Sequence, residues 1–80
     1  MLFRFILNFR NNKIRDINIL ENVNFKELKE LNLSFNNISD IKALEKVKFE
    51  KLEILYLNDN EIDKNKYSSI INNLKFNIDI

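Results

Sequence analysis

The 80-residue chain contains no cysteine, no histidine, no glycine and no proline. Without cysteine there are no disulfides and no thiolate metal sites, and without histidine the commonest metal ligand and the usual general base near neutral pH are both missing. The absence of glycine removes two further devices. Ser68-Ser69 has no glycine elbow, histidine or lysine motif beside it to make a nucleophile. The acidic cluster Asp59, Glu61 and Asp63 lacks the glycine turn and spaced carboxylates of an EF-hand loop, so it reads as solvated charge. Charge of one sign is also lacking: 13 basic residues face 12 acidic ones, for a net charge of +1. Such a balance supplies no field to concentrate phosphates or an anionic membrane, so neither nucleic acid nor a membrane is expected as a partner.

Long apolar runs are missing too. The opening MLFRFILNFRNN is interrupted by Arg4, Asn8 and Arg10, which is not the pattern of a signal peptide. No stretch reaches the roughly 20 apolar residues that a membrane span needs. With cysteine absent as well, a cytoplasmic location is the expectation. Asn32-Leu33-Ser34 and Asn37-Ile38-Ser39 match the glycosylation pattern, but 15 asparagines make chance matches expected. Eighty residues make one small domain, in which about 60% of the unfolded surface can be buried.

What the chain does have is a repeat. Displacing it by 24 residues aligns Leu7, Leu31 and Leu55; Phe9, Leu33 and Leu57; Asn12, Asn36 and Asn60; and Ile14, Ile38 and Ile62. Residues 4–27 and 28–51 agree at 10 of 24 positions, including Asp16 with Asp40, Leu20 with Leu44 and Phe25 with Phe49. A fixed period of this length is the mark of a solenoid. In LNL and LYL the apolar residues alternate, as in a short strand with one buried face. An asparagine amide, with two donors and a carbonyl, can satisfy turn backbone in its own coil and the next where water cannot reach. Asn12, Asn36 and Asn60 are therefore expected to stack as a structural ladder. Beyond them, Ile41, Leu44 and Val47 recur every third residue, predicting a 3₁₀ or short α-helical return with Asp16 and Asp40 as N-caps. Phe25 and Phe49 would plug the wide side of each coil.

LKELNLSFNNI (28–38) and LEILYLNDNEI (52–62) resemble the leucine-rich repeat pattern L-x-x-L-x-L-x-x-N-x-L, with isoleucine in the last place. The following SDIKAL is similar to the phosphatase-regulator and internalin-type branch, while VKFEKL carries two additional residues. The resemblance implies an α/β solenoid: a right-handed coil with a short parallel sheet on its concave side and 3₁₀ or helical segments on its convex side. The chain then reads as a single domain, 1–80, with repeats at about 4–27, 28–51 and 52–62. Residues 63–80 are expected to cap it. Tyr67, Ile70, Ile71 and Leu74 lie at i, i+3, i+4 and i+7, predicting an amphipathic helix with Asp63 as N-cap. Leu74, Phe76, Ile78 and Ile80 alternate as a final strand would. No cap is recognisable at the N-terminal coil, which makes that coil the expected place for self-association.

The same resemblance places the partner-binding residues at the non-leucine strand positions of the concave face. These are Ile6, Asn8, Arg10 and Asn11 in the first coil; Glu30, Asn32, Ser34 and Phe35 in the second; and Ile54, Tyr56, Asn58 and Asp59 in the third. Exposed aromatics on a rigid sheet make good anchors. The competing reading is that Phe35, Ile54 and Tyr56 only pair across strands and shield the sheet. No catalytic constellation, metal site or cofactor site is found, and the expected function is a non-catalytic protein–protein interaction module whose partner is another protein. Two alternatives stay open. One is a structural or assembly unit, or a fragment of a longer array, with no ligand of its own; the other is a regulatory subunit of a phosphatase.

Overall fold

In each strand the central apolar residue is more buried than its two neighbours. Leu31 and Leu55 are buried at the centres of β2 (Glu30–Asn32) and β3 (Ile54–Tyr56), and Leu7 is half-buried at the centre of β1 (Ile6–Asn8). The computed structural model describes residues 5–80, so Arg4, the expected first residue of the first repeat, lies outside the described residues. A fourth strand, β4 (Asn77–Asp79), completes one parallel sheet in the order β1-β2-β3-β4. Leu7 pairs with Leu31 and Leu31 with Leu55, so the 24-residue sequence register is the register of the sheet. Consecutive parallel neighbours require the chain to cross back between them each time, which makes the molecule a coil.

The return segments lie opposite the sheet. Two are 3₁₀ turns, Asn18–Asn22 and Lys42–Glu45, held at their starts by aspartate. Asp16 Oδ1 accepts from the Asn18 N–H at 2.8 Å and Asp40 Oδ1 from the Lys42 N–H at 2.9 Å. Each aspartate stands one residue before the formal cap position, Ile17 or Ile41, and closes the turn around it. In the third coil Asp63 Oδ1 accepts from the N–H groups of Asn65 and Lys66, and the helix α1 (Ser68–Asn72) follows. The helix is shorter than the predicted span to Leu74. A turn set by Asp63 occupies 64–67, and the Asn73 N–H already folds back to the carbonyls of Ile70 and Ile71.

The last strand also differs from expectation. Only residues 77–79 pair with β3, although Leu74, Phe76, Ile78 and Ile80 keep the expected alternation by packing against the core, and Phe76 also joins an aromatic column. Its ring meets Phe49 edge-on at 6.0 Å, and Phe49 stacks on Phe25 at 6.1 Å. Between sheet and returns, Leu28, Leu31, Ile38, Ile41, Leu55 and Leu57 are the largest fully buried side chains.

Tyr67 is buried in this core and its hydroxyl meets Asp40 Oδ1 at 3.3 Å, linking the third coil to the second. The Asp40 carboxyl is held below its ordinary 3.8, first by the Lys42 backbone hydrogen bond, then by Tyr67 and the nearby charges of Lys42 and Lys66, against an opposing desolvation. A carboxylate whose folded pKa is depressed stabilises the fold above its unfolded pKa, and that contribution is lost as pH falls through the folded value. The melting temperature of the parent should therefore exceed that of Asp40→Asn at about pH 6, with the gap closing as pH falls toward about 2. Paired thermal melts across that range check it.

Candidate functional site

The concave face is built by the strand residues on either side of each inward leucine. One row runs Ile6, Glu30, Ile54, Asn77 and the other Asn8, Asn32, Tyr56, Asp79. Four strands at about 4.8 Å and four residues at about 3.3 Å give a face on the order of 250 Å² in projection. Glu30, Asn32, Ile54 and Tyr56 are half-buried by their neighbours, whereas Ile6 and Asn8 on the edge strand are exposed. Asn77 and Asp79 extend the face and were not among the residues expected there. Their signal was present in the sequence, since both alternate with Phe76, Ile78 and Ile80.

Just past the strands the chain turns through the left-handed region once per coil, at Asn11 (φ 62°), Phe35 (φ 56°) and Asp59 (φ 59°). Glycine would suit these places, but the chain has none. Asparagine and aspartate tolerate the conformation because their short side chains bond locally, and the Asn58 amide donates to Asp59 Oδ2 at 2.9 Å. Phenylalanine has no such compensation. Phe35 is held there with 41% of its surface exposed and with the Arg10 guanidinium 4.5 Å from its ring centroid. A cation over an aromatic face contributes about 0.5–1 kcal/mol at exposed sites. Arg10 and Phe35, expected only as separate members of the face, are brought together across two coils.

Ser34 is a correction. It was expected to face a partner, but it is 2% exposed, and its hydroxyl and N–H both donate to Asn32 Oδ1, at 2.6 and 2.9 Å. β2 ends at Asn32, and although coil-to-coil backbone hydrogen bonds continue through Ser34 and Phe35, the chain bends here into the left-handed Phe35, so Leu33 and Ser34 are both buried and the alternation that places Glu30 and Asn32 outward no longer applies. This bond also occupies the outer amide oxygen of Asn32.

The asparagines that follow the left-handed residues behave unequally. Asn36 is buried; its amide nitrogen donates to the carbonyls of Leu33 and Ser34 in its own coil and Phe9 in the preceding one, and its oxygen accepts from the Ile14 N–H. Asn60 repeats this one coil on, reaching back to the Leu33 carbonyl and the Ile38 N–H. Asn12 departs from the expected buried ladder: it is exposed, and its amide bonds only to the Phe9 and Arg10 carbonyls of its own coil. No preceding coil among the described residues stands where its outer contacts would be. Among the described residues the Asn12 side-chain oxygen accepts no hydrogen bond, where Asn36 Oδ1 accepts from Ile14.

Among the described residues no group of three or more aspartates and glutamates could hold a metal ion, and no helix is long and apolar enough to cross a membrane. The sheet, its repeating register and the asparagine turns together define a leucine-rich repeat coil. A family model described as leucine-rich repeats in two copies matches residues 6–46 and 26–75, and the chain belongs to the leucine-rich repeat family. Comparison with curated proteins and with solved structures gives no match.

Proposed function

We propose that this chain is a non-catalytic module that binds another protein through the concave face and its Phe35 rim, with the coil winding right-handed as parallel crossovers do. Leucine-rich repeats generally mediate protein–protein interaction, and a cytoplasmic setting and a capping role for residues 63–80 belong to the same reading. The observation that carries it is Phe35. An aromatic at φ 56° and exposed runs against both local preference and solvation, and residues kept in such conformations concentrate where function needs them. Tyr56 and Ile54 lie on the adjacent strand and continue the apolar surface toward Asn58 and Asp59, while Glu30 and Asn32 give it polar neighbours.

Size limits what this surface can do alone. A stable interface commonly buries about 800 Å² per partner, more than three times the projected face. Binding confined to this face is therefore weak, and the rings must carry most of it.

The test is a pull-down comparison between the parent and a Phe35→Asn/Tyr56→Ala variant, in which asparagine suits the left-handed backbone that phenylalanine occupies. A captured partner should be lost, by about 2 kcal/mol or more in affinity, while the melting temperature stays nearly unchanged. A collapse of the melt would assign the rings to the scaffold instead.

A further inference from the structure

The open face of the sheet carries polar groups that the coil leaves without partners, and they follow an order. Asn8 and Asn32 are register neighbours on β1 and β2. Each commits its side-chain oxygen to the chain two residues ahead: Asn8 Oδ1 accepts from the Arg10 N–H at 2.9 Å, and Asn32 Oδ1 from the Ser34 N–H at 2.9 Å. A backbone N–H can face only the oxygen of an amide, so these bonds fix which end of each side chain is which. The two amide nitrogens, with two donors each, are therefore the free ends, and neither has an acceptor among the described residues. The Arg10 guanidinium lies over the Phe35 ring at 4.5 Å, and it too has no hydrogen-bond acceptor or ion-pair partner among the described residues.

The same row continues through Tyr56 on β3 and Asp79 on β4. Read across the sheet it runs two amide donors, a phenol ring and a carboxylate. Asp79 is exposed and forms no ion pair among the described residues, and Asp59, just past β3, adds a second negative charge on that side. Glu30 stands in the other row, about 7 Å along β2 from Asn32, and opposes a negative charge on the donors; Arg10, about as far beyond Asn8, offsets it. Strands spaced at about 4.8 Å put the midpoint of the Asn8 and Asn32 pair about 7 Å from Tyr56 and about 12 Å from Asp79. An extended chain rises about 3.3 Å per residue and turns alternate side chains to one face, so residues i+2 and i+4 follow residue i at about 7 and 13 Å on the same side. The two sets of spacings agree. Because the row lies on the open face, a further coil at either end would lengthen it without covering it.

The geometry points to a partner segment in extended conformation that crosses the strands along this row. Its acidic side chain sits on the Asn8 and Asn32 amides, an apolar side chain two residues away covers the Tyr56 ring, and a lysine or arginine four residues away meets Asp79. The inference rests on the concave-face reading and narrows it to one class of partner sequence, acid-x-apolar-x-base. An aspartate or glutamate carboxylate only accepts, and here it accepts from two amides with the Arg10 guanidinium within reach. Hydrogen bonds to an ionised acceptor are roughly twice as strong as neutral ones, so the donors favour a carboxylate over a neutral amide. At the far side the same preference is reversed, because Asp79 offers only acceptors. Charges three residues apart in an extended chain face opposite ways, so only one of them could reach the row.

Titration of the isotope-labelled chain with the blocked peptide acetyl-Ser-Glu-Ser-Leu-Ser-Lys-Ser-amide, followed by NMR, tests this. The side-chain amide signals of Asn8 and Asn32 and the backbone signals of Tyr56 and Asp79 should shift saturably. Replacing the peptide's glutamate by glutamine, or moving its lysine one residue closer, should weaken binding by about threefold or more. The variant Asn8→Asp/Asn32→Asp keeps the oxygen that each N–H needs and puts a negative oxygen where the donor was. It should melt like the parent, since Asp16 and Asp40 hold the same kind of turn with a carboxylate. It should bind the peptide about tenfold more weakly, and should prefer a version with lysine in place of the glutamate. No shifts at about 5 mM peptide, where even a weak site fills, would overturn the inference. So would shifts confined to other surfaces, or an affinity indifferent to the lysine spacing or to Asn8→Asp/Asn32→Asp. A protein partner that is lost with Phe35→Asn/Tyr56→Ala but retained by Asn8→Asp/Asn32→Asp would keep the concave reading and overturn this one.

Discussion

Asn36→Ala should lower the unfolding free energy by about 3 kcal/mol, while Asn12→Ala, the same substitution one coil earlier, should change it by less than about 0.5 kcal/mol. The two asparagines occupy the same place in the repeat, but only Asn36 is enclosed by coils on both sides. Removing its amide takes one of two donors from each of the Phe9, Leu33 and Ser34 carbonyls, which keep Asn12, Asn60 and the Asn11 N–H, and leaves the Ile14 N–H without its acceptor beside the space the side chain filled. Each buried group stripped of its partner costs about 1–3 kcal/mol, tempered where water can reach it. Asn12 is exposed and the Phe9 carbonyl it bonds keeps Asn36 as a donor, so alanine there strips no enclosed group of its last partner. Urea unfolding of both variants beside the parent measures the contrast. Equal losses at the two sites would show that the amide acts only within its own coil.

Leu55→Ala should be the most damaging single truncation, at about 2–5 kcal/mol, because the site combines lost transfer free energy with a cavity that its neighbours cannot fill. Leu55 is fully buried, with β2 on one side and β4 on the other. A domain of this size has about 4–12 kcal/mol of stability in all, so the substitution removes a large part of it and leaves a significant unfolded population. Leu7→Ala should cost less, since Leu7 is only half-buried on the edge strand and water can enter the space left. Thermal and chemical unfolding of the pair gives the difference directly. A Leu7 variant as unstable as the Leu55 variant would mean that the first coil is packed as tightly as the third.

Much of the fold was legible because a repeat announces its own neighbours. The equal spacing of Leu7, Leu31 and Leu55 became the strand register, and the aspartates ahead of each return became turn-closing acceptors. The third coil was read less well. Its period shortens to 23 residues, since Ile54 pairs with Asn77, and the alternation through Leu74 and Phe76 suggested a longer strand than the three residues that pair. Tyr67 was visible as an apolar position on a helix, but its hydroxyl contact to Asp40 spans 27 residues and follows no repeat.

The candidate surface was legible in part. Alternation placed Glu30, Asn32, Ile54 and Tyr56 on one face, and failed at Ser34, where the strand has already ended and the hydroxyl turns to Asn32. The cation over the Phe35 ring was not visible at all. Arg10 and Phe35 are unrelated in the repeat, and only the coil-to-coil spacing brings a long side chain from one turn over a ring in the next.

The sequence by itself determined which residues recur, and hence which side chains face inward and which coil lies against which, because a 24-residue period is a statement about neighbours. Only the tertiary structure decided which copies of a repeated residue are enclosed. Burial depends on a coil being present on both sides, so identical letters at Asn12 and Asn36 meet different surroundings, and the edges of the stack differ from its middle.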